Sequence, residues 1–84
     1  MIPAMRYFMH FGGESEFVAD EEGRELPNDV IARNEAVAAA RDLMAADVRE
    51  GHLDLTCFIA VENEAHDLLF SVTFENALTM KVRA

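Results

Sequence analysis

The chain is short of the residue types on which several common protein classes depend. Its one cysteine, Cys57, cannot form an intramolecular disulfide. Seven Lys and Arg stand against sixteen Asp and Glu, and the net charge of -9 repels the phosphate backbone of nucleic acids. No segment approaches the roughly 20 apolar residues of a membrane span, and the N-terminus has no basic leader before an apolar run. We therefore expect a cytoplasmic protein that binds neither nucleic acid nor a membrane.

The spacings typical of metal and nucleotide sites are also lacking. No C-x-x-C or H-x-x-x-H pair joins the possible metal ligands, which are His10, His52, His66 and Cys57. The acidic run does not alternate as a calcium loop does; it consists of Glu14, Glu16, Asp20, Glu21, Glu22 and Glu25. The pair Gly12-Gly13 is followed by Glu14, which repels phosphate. We predict no metal site, no cofactor and no catalytic residues.

The composition that remains is that of a folded globular protein. Hydrophobic residues make up 51% of the chain and charged residues 27%. Eighty-four residues are enough for one domain, expected to span residues 1–84. A domain of this size buries only roughly 60% of its unfolded surface. A small core with a high apolar share favours an apolar face covered by a second copy, and we expect a homodimer.

Alternation near the N-terminus predicts a hairpin. A strand at residues 6–11 has one face formed by Tyr7, Met9 and Phe11 and the other by Arg6, Phe8 and His10. Gly12-Gly13, which can take positive φ, would turn the chain toward a short strand at residues 17–19. The following turn, Asp20-Glu21-Glu22-Gly23, has an acid first to accept backbone N–H groups and a glycine last. Residues 24–26 continue extended because Pro27 disfavours helical geometry before it.

A long helix is predicted from Asp29 to Glu50, a segment rich in alanine and free of Gly and Pro. Asn28 or Asp29 is a suitable N-cap, and Gly51 is a suitable terminator. Helical spacing predicts one buried stripe made of Ala36, Val37, Ala40, Leu43 and Met44.

Two further strands are predicted at residues 53–61 and 68–74, joined by the hairpin loop Asn63-Glu64-Ala65-His66. Residues 78–82 are either a short edge strand or a frayed terminus. These elements predict an α+β fold of β-β-α-β-β order, in which a small antiparallel sheet packs on one long helix.

The same segments carry a family resemblance that covers nearly the whole chain. They are the opening Arg6-Tyr7-Phe8-Met9-His10-Phe11, the turn Asp20-Glu21-Glu22-Gly23-Arg24-Glu25-Leu26-Pro27, the alanine stripe from Ala36 to Ala40 and a C-terminal hairpin. In this order they resemble the uncharacterised DUF6894-type family of short proteins. The chain departs from the family at the second hairpin, where Ala65-His66 stands in place of a glycine turn. The resemblance implies a bacterial, cytoplasmic protein with no known activity, and it supplies no catalytic residues.

One sheet face is the best sequence clue to function. Phe8, Phe58 and Leu69 alternate with the positions predicted to face the helix, so either a second sheet face exposes large apolar groups or one strand is out of phase by one residue. The predicted interaction face consists of Phe8, His10, Phe58 and Leu69.

Three functional hypotheses follow. The leading one is a non-enzymatic interaction or regulatory module, a homodimer that uses this face or a strand edge. The alternative is a small-ligand-binding protein or minor enzyme with a site near His10 and Gly12-Gly13, because imidazole can act as an acid or base near neutral pH. The third is a regulator whose acidic surface binds a basic protein partner. Cys57 is expected to be a buried small hydrophobe rather than a nucleophile.

Overall fold

The computed structural model describes residues 4–82. Its elements are β1 (Met5–Gly12), β2 (Phe17–Val18), β3 (Arg24–Leu26), α1 (Asp29–Arg49), β4 (Phe58–Glu62) and β5 (Leu68–Thr73). The antiparallel sheet has the order β2-β1-β4-β5, and β3 also pairs with β1. One face of the sheet packs against α1. The predicted α+β class and the single long helix are confirmed, with β3 a short addition to the predicted order.

Local signals at both ends of α1 act as the sequence predicts. The Asn28 side chain accepts a hydrogen bond from the Ile31 N–H at 2.9 Å, which satisfies one free donor of the first turn. At the other end Gly51 has φ of +88°, and the His52 N–H reaches the Asp47 carbonyl at 3.1 Å, as in a Schellman termination. Both predicted boundaries are therefore confirmed.

The core lies between α1 and one face of β1, β4 and β5. The helix buries the row Ala32, Ala36, Ala40 and Met44, whose small side chains bring its backbone close to the sheet. The sheet contributes Tyr7, Ile59, Val61, Val72 and Phe74. The predicted phases of β1 and β4 are confirmed. Leu43, predicted to lie in the buried stripe, is instead 39% exposed, because the buried row follows i, i+4 spacing alone.

The outer edge of β1 is covered by an interrupted strand. β2 pairs with the end of β1 through Phe11 and Val18, and β3 pairs with its start through Tyr7 and Arg24. Between them, Asp20 Oδ2 accepts the Met9 N–H at 3.0 Å. A side chain thus replaces a strand-to-strand hydrogen bond where the ladder is broken.

The acidic turn has the predicted form. Asp20 Oδ1 accepts the N–H groups of Gly23 at 3.0 Å and Glu22 at 3.2 Å. Gly23 has φ of +67°, a left-handed conformation that glycine adopts without steric cost.

Two other expectations are wrong. Gly12 and Gly13 do not take positive φ; Gly12 belongs to β1 and is needed because the Phe58 ring lies on it, with Cε2 2.6 Å from where a Cβ would stand. Residues 53–57 do not form the first half of a strand. Asp54 Oδ1 accepts from the Thr56 N–H at 2.9 Å and the Thr56 hydroxyl at 2.6 Å, a local turn that competes with strand pairing.

The second hairpin contains two irregularities. A β-bulge at Val61/Glu62 puts one extra residue into β5, because Val61 pairs with Phe70 while Glu62 pairs with Leu68. In the loop, His66 has φ of +63°, a left-handed conformation that is uncommon for a residue other than glycine. Residues 78–82 are not in a strand.

Candidate functional site

His10 is held on the sheet face opposite α1, hereafter the second face. It is 8% exposed, and both ring nitrogens have partners. Nδ1 accepts the Asp20 N–H at 2.9 Å, and Nε2 lies 2.8 Å from Glu62 Oε1. The N–H of the neutral ring therefore sits on Nε2 and donates to Glu62. With both nitrogens engaged, His10 ties the acidic turn to β4.

Glu62 also contacts a second histidine, His66, which lies in the hairpin loop. His66 Nδ1 lies 3.3 Å from the same Oε1 atom. Two hydrogen bonds, the stronger effect coming from His10 and the weaker from His66, hold the pKa of the Glu62 carboxyl below its ordinary value. The His66 ring lies against Phe8 with centroids 4.9 Å apart. These contacts keep His66 in a backbone conformation that is otherwise unfavourable for a non-glycine residue.

The predicted interaction face is only partly open. Phe8, expected to be exposed, is 9% exposed, because its ring lies between His66 and the backbone of Gly23. Phe58 is half-buried on Gly12.

The bulge separates Leu69 from the other members of this face. Leu69 lines a depression on the helix side together with Tyr7 and Asp29. The Tyr7 hydroxyl donates a hydrogen bond to the Asp29 carboxylate there. The extra residue in β5 therefore changes its phase at this point, and Leu68, 63% exposed, is the residue paired with Glu62.

The two parts of the alternative ligand site do not meet. Gly13 lines a depression of about 520 Å³ on the helix side, hereafter the acidic groove, which His10 does not line. Cys57 lines the same groove, and the pairing of β1 with β4 does not bring His10 into it. Burial is the main cause that raises the pKa of the Cys57 thiol, and the Asp54 carboxylate raises it further. The thiol therefore stays protonated. This is the environment of a structural cysteine rather than of a nucleophile.

The outer edge of β5 is the most open strand edge. The Phe74 N–H donates to the Cys57 carbonyl at 2.8 Å, which places residue 74 in a hydrogen-bonded pair facing the β4 side. Because such pairs alternate along an antiparallel ladder, the N–H groups of Ser71 and Thr73 point away from β4. Within residues 4–82 no strand pairs with this edge.

Sequence reasoning had one signal for this constellation and missed the rest. The departure at Ala65-His66 marked the loop where His66 reaches Glu62. The second role of Asp20, which joins the turn to Met9 and His10, has no sequence signature, since an acidic first turn residue is common in any turn.

Metal and membrane features are not found in the part of the chain that the structure describes. No group of three His, Cys, Asp or Glu side chains is arranged to hold a metal ion among residues 4–82. Within the same range no helix combines the length and the apolar character that a bilayer crossing needs.

Comparison with known proteins gives one match. The family model described as Domain of unknown function (DUF6894) matches residues 6–75, a stretch that includes all of β2 to β5 and the acidic turn. No curated protein and no solved structure matches the chain.

Proposed function

This chain belongs to the DUF6894 family, whose function is unknown, and from its surface we propose a non-enzymatic protein-interaction module of the cytoplasm, acting as a homodimer. The two subunits join through the outer edges of their β5 strands, in an antiparallel pair that extends the sheet across the dimer. The observation that carries this proposal is the unprotected edge of β5.

Apart from the bulge at Leu69, the residues of β5 contain none of the features that prevent edge pairing. Its residues are Leu68, Leu69, Phe70, Ser71, Val72 and Thr73, with no charge, proline or glycine among them. Natural proteins protect such edges with lysine, proline, very short strands or covering segments. An apolar six-residue edge with outward N–H groups favours a further strand.

A second copy is the partner that fits this edge most directly. In a two-fold interface the same patch lies on both sides. Residues that face each other across an antiparallel pair have N–H groups of the same direction, so the pair is centred on Ser71 and matches residues 69–73 of one copy with residues 69–73 of the other. The exposed Leu68 side chain gains cover at each end of such a pair. The single buried thiol, Cys57, agrees with a reducing cytoplasmic environment.

Proline at position 71 tests the edge without removing a bond to β4. Ser71→Pro deletes an outward N–H, whereas Ser71→Ala keeps it. Native mass spectrometry and light scattering should find wild type and Ser71→Ala as dimers and Ser71→Pro as a folded monomer, with circular dichroism as the check of folding.

A backbone change covers the case in which proline disturbs the strand. Ligation at the native Cys57 joins a synthetic segment of residues 57–84 that carries an N-methyl group on Ser71 alone. A monomeric wild type, or an N-methylated protein that remains a dimer, would refute the proposed interface.

A further inference from the structure

The acidic groove lies at the C-terminal end of α1 and has an apolar floor. Phe11 and Cys57 supply its buried part, and Val18 and Leu43 supply side chains that are exposed in the free chain. Leu43 is the residue that left the predicted buried stripe. The floor thus presents apolar surface that the chain's own core does not use.

The rim of the groove is strongly acidic. It includes Glu14, Glu16, Asp47 and Asp54. Within residues 4–82 no Lys or Arg forms a salt bridge with these four carboxylates, and the basic side chain that lines the groove is His52, whose Nε2 atom lies 3.9 Å from Asp47 Oδ1. Arg49 lies in the last turn of α1 but does not line the groove.

The Lys and Arg salt bridges of the described residues lie elsewhere. They join Arg6 to Glu25 and Arg24 to Glu35. The C-terminal end of a helix adds partial negative charge from its free carbonyl groups, so the groove combines helix and carboxylate fields of one sign.

The negative field of the rim affects the pKa of Cys57 in the floor of the groove. After burial, the carboxylates of Asp54, Asp47 and Glu16 contribute to the raised pKa of the Cys57 thiol. Three rim groups therefore act on one point inside the groove. Hydrogen bonds from Thr56 hold the pKa of the Asp54 carboxyl below its ordinary value, which keeps that group ionised.

We propose that the acidic groove binds a segment of a partner protein that carries Lys or Arg beside apolar side chains. The apolar residue fills the floor over Leu43 and Val18, and the basic residue lies between the rim carboxylates. Complementary charge sets the partner's approach, and burial of the apolar side chain adds affinity. The inference rests on the proposed interaction role but does not need the β5 dimer.

A displayed library of random dodecapeptides is the probe. Peptides enriched on the wild-type protein are synthesised with a fluorescein label, and their affinity is measured by anisotropy at physiological salt. Glu16→Lys changes the groove, and Glu21→Lys is the matched control, with the same change of net charge in the acidic turn. Leu43→Ser tests the floor, and Val30→Ser is its control, an exposed apolar residue at the other end of α1.

The enriched peptides should contain Lys or Arg next to apolar residues. Glu16→Lys should weaken binding by more than about tenfold and Glu21→Lys by less than about twofold, because charges beyond a Debye length are screened. Leu43→Ser should weaken binding and Val30→Ser should not.

Three results would overturn the inference. They are peptides without basic residues, equal effects of the two Glu→Lys changes, and tighter peptide binding after removal of residues 78–84, which would identify the chain's own tail as the occupant. The dimer is tested separately: monomeric Ser71→Pro should still bind the peptides, and Glu16→Lys should remain dimeric.

Discussion

Replacement of Asp20 by alanine tests the most connected side chain of the fold. Its Oδ2 atom accepts the Met9 N–H at 3.0 Å, in the gap between β2 and β3. Its Oδ1 atom accepts the N–H groups of Gly23 and Glu22. One carboxylate therefore holds both the turn and the broken ladder.

The expected cost follows from what each N–H group can do afterwards. The Met9 N–H is part-buried and loses its acceptor, which costs about 1–3 kcal/mol. The N–H groups of Gly23 and Glu22 lie in a surface turn where water replaces the carboxylate, at about 0.5 kcal/mol each. Asp20→Ala should thus destabilise by about 2–4 kcal/mol, against a total stability of about 4–13 kcal/mol for a chain of this length.

Asparagine at the same position gives a graded comparison. Its one carbonyl oxygen can still serve Glu22 and Gly23, but its amide group then faces the Met9 N–H as a second donor. Asp20→Asn should therefore cost less than Asp20→Ala but more than about 1 kcal/mol.

Urea unfolding followed by far-ultraviolet circular dichroism measures these differences. Glu21→Ala, in the same turn, is the control and should lie within about 0.5 kcal/mol of the wild type. An Asp20→Ala protein as stable as Glu21→Ala would show that the carboxylate does not hold the edge, and the reasoning would be refuted.

The same carboxylate predicts a pH dependence. Burial acts to raise the pKa of Asp20, but hydrogen bonds from Gly23, Met9 and Glu22 outweigh it and hold the pKa below its ordinary value of 3.8. A lowered folded pKa stabilises the protein above the unfolded pKa, and this contribution is lost as the pH falls toward the folded value. The stability gap between wild type and Asp20→Asn should be constant near neutral pH and shrink below about pH 4.

Three further predictions concern the core. Gly12→Ala places a Cβ against the Phe58 ring and should cost about 1–3 kcal/mol in urea unfolding, but little in a Phe58→Ala background, where an equal cost would contradict the contact. Burial and the hydrogen bond to Asp29 raise the pKa of Tyr7 to about 12, so an ultraviolet titration with a midpoint near 10 would contradict the 2.6 Å bond. Cys57 should resist Ellman's reagent until urea unfolds the chain; rapid reaction of the folded protein would contradict its burial.

Local signals predicted the elements that depend on local physics. The cap at Asn28, the stop at Gly51 and the acidic turn ending at Gly23 each need only a few neighbouring residues, and each is found. Alternation along β1 also indicated which residues face the helix, because a strand buried on one face has to keep its phase.

The remaining differences depend on contacts between distant segments. The strand predicted from residue 53 fails because Asp54 and Thr56 bond to each other, and Leu69 changes face because β4 and β5 pair with a bulge. Phe8 is buried by Gly23 and His66, which lie far from Phe8 and from each other along the chain. The alternation of residues within one strand does not show which side chains are buried by segments outside the sheet.

The sequence suggested the types of surface that the two proposals use, but not the residues that form them. Sequence reasoning included a strand edge and a basic partner among its hypotheses, and it assigned the interaction face to Phe8, His10, Phe58 and Leu69. The groove could not be located from sequence, because its rim joins residues 14–16 to Asp47 and Asp54, which only the folded chain brings together.

The interrupted strand formed by β2 and β3 gives the sheet two unequal sides. β2 has two residues and β3 has three, the turn at Asp20 separates them, and acidic side chains surround both. Such a border offers an incoming strand no continuous row of N–H and carbonyl groups. In the proposed dimer, a sheet that is receptive on one side only is lengthened once, so strand pairing would end at two molecules and would not propagate into a fibre.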